Sequence, residues 1–227
     1  MLFDPNEHEP LRGRPWDDSA ARDFIRSLCE EAEAAYSERS LWPEHPLDAD
    51  WSPGTPLQSL FWGASGVAWA LTFLKDSGMI EGLSRDYRQV LQRVLRSHGE
   101  NPDTEKSAPG FLMGEAGILY AVFRIERKPS TADALHEALQ KTIARPETEL
   151  MWAAPGAIVI AERMAEWTRE ERWVAVIRES ARHLVSTWKI EGSDPRLWTQ
   201  DLYGSTQKYM GAVHGFAGNG LALMKAL

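Results

Sequence analysis

Tyr209-Met210-Gly211-Ala212-Val213-His214-Gly215-Phe216-Ala217-Gly218-Asn219-Gly220-Leu221-Ala222-Leu223 reads as a glycine-rich turn that carries a histidine into the start of an apolar helix. Three earlier stretches repeat it without the histidine: Phe61-Trp62-Gly63-Ala64-Ser65-Gly66-Val67, Phe111-Leu112-Met113-Gly114-Glu115-Ala116-Gly117 and Leu150-Met151-Trp152-Ala153-Ala154-Pro155-Gly156. The shared frame is a large residue, a small one, two more residues, glycine, then an apolar run. Only the third copy departs from it, with Ala153 in place of the first glycine. Self-similarity of this kind marks a repeat architecture and takes precedence over local propensity.

Outward from these turns, buried and amphipathic helices alternate. Asp17 or Asp18 can cap a first helix in which Phe24, Ile25, Leu28, Cys29, Ala32, Ala35 and Tyr36 make one apolar face. The first glycine turn opens a helix from Val67 to Leu74 that is apolar almost all round, which places it inside the protein. A helix from about Ser84 to Ser97 follows, with an inward stripe of Tyr87, Val90, Leu91, Val94 and Leu95 and an arginine-rich outer side. The order repeats through an apolar helix to about Ile125 and a polar helix from Ser130 with Leu135, Leu139 and Ile143 inward. The third turn leads an apolar helix from Pro155. Thr168-Arg169-Glu170-Glu171 has the pattern of a capping box for an outer helix bearing Trp173, Ile177, Ala181, Leu184 and Trp188. The second glycines, Gly66, Gly117, Gly156 and Gly218, are unevenly spaced. That excludes a solenoid of fixed period and fits helical hairpins around a common axis, an ordinary helical bundle being the alternative.

Bulk composition narrows the classes. The chain has 227 residues, 43% hydrophobic and 26% charged, and one domain is the expectation. A net charge of -8 argues against a nucleic-acid surface. Cys29 is the single cysteine, so no intramolecular disulfide forms, and its place on an apolar helix face reads as a buried structural thiol. The polar start lacks the features of a signal peptide, and no apolar run reaches the roughly 18 residues of a membrane span. These features predict a cytoplasmic protein with no membrane partner. No P-loop, no GxSxG elbow and no HxxxH metal spacing is present.

The turns, together with Gly211-Ala212-Val213-His214-Gly215-Phe216-Ala217-Gly218 and Glu149-Leu150-Met151-Trp152-Ala153-Ala154-Pro155-Gly156, resemble the lanthionine synthetase C-like (LanC-like) family, in its bacterial branch. The resemblance implies an all-α fold, an (α/α) toroid of nested helical hairpins, with residues 1–16 as an N-terminal arm and 17–227 as a partial toroid. It further implies an active site at the glycine-turn end holding one zinc ion. There the thiol of a cysteine or of a small molecule such as glutathione adds to a dehydrated serine or threonine of a peptide, forming a thioether. The family's zinc ligands are two cysteines and a histidine in motifs that would follow Leu227. The chain is therefore expected to be truncated, to bind no metal alone and to be inactive in that form, with self-association through the open side of the ring.

His214 is the leading catalytic candidate, because an imidazole at a helix N-terminus stays neutral and can accept and return a proton. Glu149, where the resemblance implies an acidic group facing the cavity, can orient His214 or a substrate amide. Trp62, Glu115, Trp152, Asp201 and Tyr203 are candidates for lining the opening and binding substrate. Two other classes remain open on the residues alone. One is a carbohydrate-active toroid using Glu115 and Glu149 as paired carboxylates. The other is a non-catalytic module that binds a peptide or partner chain.

Overall fold

In the computed structural model, the Asp17 carboxylate accepts the Ala20 amide at 3.0 Å and starts α1 (Asp18–Ala35). The structure describes residues 13, 15–44, 56–104, 108–188 and 197–227. Most of the 1–16 arm and most of the proline-rich stretch from Ser40 to Pro56 lie outside the described residues. Among the described residues seven further helices follow: α2 (Ala64–Asp76), α3 (Tyr87–Glu100), α4 (Glu115–Glu126), α5 (Pro129–Thr142), α6 (Ala154–Thr168), α7 (Glu171–Thr187) and α8 (Phe216–Lys225). The helices led by small-residue turns are α2, α4, α6 and α8, as their spacing predicts. The architecture of the described residues is all-α, with helical hairpins of the (α/α) toroid type, and no described helix is long and apolar enough to cross a membrane.

Packing follows chain order. α3 lies against α2 and α4, α5 against α4, α7 against α6, and α8 against α6. The core has two parts: Leu71, Leu91, Val94, Ile118 and Val122 centre one, and Leu119, Leu135, Leu139, Ile160, Met164 and Trp173 the other. α4 contributes to both, so it is the wall between them.

Each second glycine solves the same steric problem. A Cβ on Gly117 would overlap the Phe111 carbonyl oxygen and lie 3.0 Å from the Leu60 Cβ of the preceding turn. On Gly156 it would overlap the Leu150 carbonyl oxygen and lie 2.8 Å from the Phe111 Cβ. Gly66 and Gly218 share the overlap with a carbonyl oxygen six residues back, Leu60 O and Ala212 O. Only at Gly117 and Gly156 does the neighbouring turn also press on the position, so there the missing side chain is what lets the turns stack closely. They are also tied by the backbone at equivalent residues: Phe61 N donates to Leu112 O at 2.9 Å, and Leu112 N donates to Met151 O at 3.1 Å.

Two local expectations are corrected, and one element is added. Phe24 and Leu28 are 64% and 47% exposed, because α1 docks along the narrow line of Ile25, Cys29, Ala32 and Tyr36, and the other two lie about 100° away. The capping box at Thr168 does not form. Arg169 adopts φ 61°, ends α6, and leaves the Thr168 hydroxyl donating to Met164 O at 2.9 Å. A hairpin not anticipated from the sequence joins β1 (Gln200–Leu202) to β2 (Ser205–Gln207).

The first turn is pinned from outside the repeat. Asp103 Oδ2 accepts Gln58 N at 2.5 Å and Ser59 N at 2.9 Å, all three residues being buried. Asp103→Ala would leave both amides without an acceptor, and should cost roughly 2 kcal/mol. Asp103→Asn keeps an acceptor and should lose less. Urea unfolding midpoints of the two variants against the parent provide the comparison.

Candidate functional site

At the third turn the backbone ladder slips by one residue. Leu150 N, rather than Met151 N, donates to Val213 O of the fourth turn, at 3.1 Å. Met151 N is thereby freed for the Glu149 side chain. Glu149 Oε2 accepts it at 3.1 Å, and Oε1 accepts Trp152 N at 2.7 Å. The same Oε2 lies 3.0 Å from His214 Nδ1, so the slip builds a seat for a carboxylate beside the histidine of the next turn. Glu149 is fully buried, while the His214 side chain is 33% exposed. His214 Nε2 has no hydrogen-bond partner among the described residues, and it is the ring nitrogen open to a ligand.

The electrostatics favour an uncharged pair. Burial pushes Glu149 up to about 8, against the two amide hydrogen bonds that pull it down. Burial also lowers His214. Near neutral pH the pair therefore holds one proton between Oε2 and Nδ1, and a gain or loss of charge is expressed at Nε2. When Glu149 is ionised, Nδ1 carries the hydrogen and Nε2 is a base. When Glu149 is protonated and donates to Nδ1, Nε2 carries a hydrogen to give.

These shifts have opposite consequences for stability. Between the ordinary 4.5 and about 8, folded Glu149 holds a proton that the unfolded carboxylate has lost. Its contribution therefore falls as pH rises through that window, by up to about 1.4 kcal/mol per pH unit. For His214 the unfolded ring holds the proton between its lowered value and 6.5, so its contribution rises with pH there. Glu149→Gln removes only the first. The stability of the parent minus that of the variant is expected to be larger at pH 5 than at pH 8. Urea titrations at both pH values measure it, and a difference independent of pH would refute the assignment.

Two buried amides that the sequence reading missed hold the acid in place. Gln200 Nε2 and Asn219 Nδ2 both donate to Thr148 O, at 3.2 Å and 3.0 Å. Thr148 has φ 46°, a left-handed conformation that a threonine adopts only when its surroundings impose it. Gln200 Oε1 also accepts Tyr209 N at 3.3 Å, which ties the hairpin and the fourth turn to the same point.

Of the remaining sequence candidates, Tyr203 joins the site. Its ring meets His214 edge-on at 5.9 Å, its hydroxyl donates to Met151 Sδ at 3.8 Å, and Tyr209 flanks the imidazole at 6.3 Å. Trp62 and Trp152 occupy the places in their turns that His214 occupies in the fourth. Glu115 opens α4 at its own turn. Asp201 is exposed in β1, where its Oδ1 accepts the Thr206 hydroxyl at 2.7 Å within the hairpin. Glu149 has both oxygens engaged by the third turn and His214, and no hydrogen bond links it to Glu115.

No cluster of three or more His, Cys, Asp or Glu side chains among the described residues could hold a metal ion. Cys29 is buried on α1, and burial raises its thiol pKa. The residues described here do not fit a zinc site. Compared with known proteins, residues 17–227 match the family model described as Lanthionine synthetase C-like protein. No curated protein matches the chain significantly.

Proposed function

The chain belongs to the lanthionine synthetase C-like family, and on that premise we propose that Glu149 and His214 are the proton-handling pair of a site that adds a thiol to a dehydrated serine or threonine residue. The observation that carries this reading is the 3.0 Å approach of a fully buried carboxylate to Nδ1 of a histidine whose Nε2 is open. Zinc, in the family chemistry, acidifies the thiol. At this site it would need ligands from outside the described residues, and no step below passes through it.

The addition balances as follows. The addition starts from the form with Glu149 ionised, populated as pH approaches about 8: Nε2 takes the thiol proton while Nδ1–H donates to the Glu149 carboxylate. Sulfur bonds the β-carbon of the dehydro residue, and the carbon–carbon double bond opens to an enolate. Nε2–H then returns the proton to the α-carbon, so the elements of the thiol are added across the double bond. Tyr203 and Tyr209 restrict the approach to Nε2. Trp62, Trp152 and Glu115, at the corresponding ends of their turns, supply the wall along which a peptide lies. Asp201 acts through the hairpin that carries Tyr203. The acceptor is a dehydrated peptide, and the donor is its own cysteine or a small thiol such as glutathione.

Binding is testable on this chain without turnover. A dehydrobutyrine-containing peptide, followed by reduced glutathione, should shift the imidazole Cε1–H resonance of His214 in a saturable way. The other histidines should respond less. An unmoved His214 signal in folded protein, at millimolar concentrations of both, would overturn the reading.

A further inference from the structure

Away from the glycine turns, α2, α4 and α6 line an open cleft of about 510 Å³. From Gly117 to Arg124, or from Trp152 to Arg163, the distance along the helix axes is roughly 10–16 Å, so the cleft lies well below the Glu149–His214 pair. Its walls are aromatic. Trp69 and Phe73 of α2 stack at 5.2 Å, and Tyr120 of α4 stacks on Trp167 of α6 at 5.4 Å. Three arginines line it, Arg124, Arg127 and Arg163, against one lining carboxylate, Asp76.

The arginines are not equivalent. Arg124 lies over the Trp69 ring at 5.4 Å and is fixed by the Thr72 hydroxyl at 2.6 Å and by Asp76 at 2.7 Å. Arg163 pairs with Glu166, outside the lining. Arg127 is different. Its guanidinium carbon lies over the Trp167 ring, 4.0 Å from the ring centre, at the left-handed end of α4, and it has no carboxylate partner among the described residues. Burial and the neighbouring Arg124 both lower its pKa, as expected of a cation lacking a counter-charge. Trp69 Nε1, on the same wall, is a buried donor with no acceptor. An arginine stacked on an indole keeps the edge of its N–H fork available for a carboxylate or phosphate.

We propose that this cleft is a binding site for a small aromatic anion, a flat ring carrying a carboxylate or phosphate, with the anionic group held between Arg127 and Arg163 and the ring against the Trp69–Phe73 and Tyr120–Trp167 walls. The volume is that of a small-molecule site. A planar body suits the walls, where a compact inorganic anion would leave them uncovered. The site is independent of the proton-handling pair, and its ligand need not be a substrate of that pair.

Calorimetric titration of the whole chain with phenyl phosphate, benzoate and inorganic phosphate tests it, with the arginine Nε–Hε resonances followed in parallel. Phenyl phosphate or benzoate should bind saturably, at least tenfold more tightly than inorganic phosphate, and should shift Arg127. Which of the two binds more tightly identifies the anionic group. Arg127→Gln and Arg163→Gln, both at exposed positions where folding is retained, should each weaken binding about tenfold. His214→Asn should leave it unchanged, which separates this site from the upper one. The proposal is overturned if neither aromatic anion saturates, if inorganic phosphate binds equally well, or if neither arginine variant alters the affinity.

Discussion

Gly117→Ala should destabilise the protein by about 3 kcal/mol, the upper range for overpacking a filled interior. The added methyl would overlap the Phe111 carbonyl oxygen and press on the Leu60 Cβ, and neither is the free end of a flexible side chain. Relief would require the first and second turns to separate. That would strain the bond from Phe61 N to Leu112 O and loosen α4, which is shared by both parts of the core. Gly99→Ala is the control. Gly99 lies near the end of α3 with nothing within 4 Å of a new Cβ, and there alanine should be neutral or stabilise by up to about 1 kcal/mol. Equal urea midpoints for the two variants would show that the close stacking of the turns is not what makes the second glycine necessary.

His214→Asn should reduce thiol addition by 10²- to 10⁴-fold, the range for removing a positioned general acid–base. The assay uses protein from its native source with zinc, glutathione and a dehydroalanine peptide, and the thioether product is read by mass. Asparagine can still hydrogen-bond Glu149 but has no second nitrogen to carry a proton outward. Glu149→Gln should lose less, because an amide still orients Nδ1. Its pH–rate profile should nevertheless change shape, since the proton shared with a buried carboxyl is gone. A His214→Asn variant with unaltered rate would remove the imidazole from the proposed chemistry, and a fold loss in that variant would be visible in its unfolding midpoint.

Much of this arrangement is legible from the chain because its causes are local and repeated. A glycine demanded by close approach recurs at the same place in each turn, and an apolar run follows it, so α2, α4, α6 and α8 announce themselves. The approach of Glu149 to His214 is suggested only through the family resemblance, which places an acid before the third turn without deciding between His214 and a substrate amide as its partner. The supports of the pair leave no such trace. Gln200 and Asn219 reach Thr148 from 52 and 71 residues away, and a lone amide carries no periodicity. The β1–β2 hairpin is hidden as well. Its strands have three residues each, too few for alternation to register, and its tight turn places Tyr203 at φ 52° where asparagine would be the usual signal. At Thr168 the error has a different origin. A helix stop two residues before the next start competes for the same hydroxyl, and the stop prevails.

The ladder between the turns also has a mechanical meaning. Each turn is bonded to its successor, so a load applied between the two ends of the chain meets these links in series and the packed helices in parallel with them. Pulled from its termini, the protein should lengthen in discrete events, each releasing about one hairpin. The intervals between second glycines are 51, 39 and 62 residues, which at the extended length per residue gives steps of roughly 14–22 nm. The unequal loops that rule out a regular solenoid would then label each event by its own length, and a force–extension trace would report the order in which the ring comes apart.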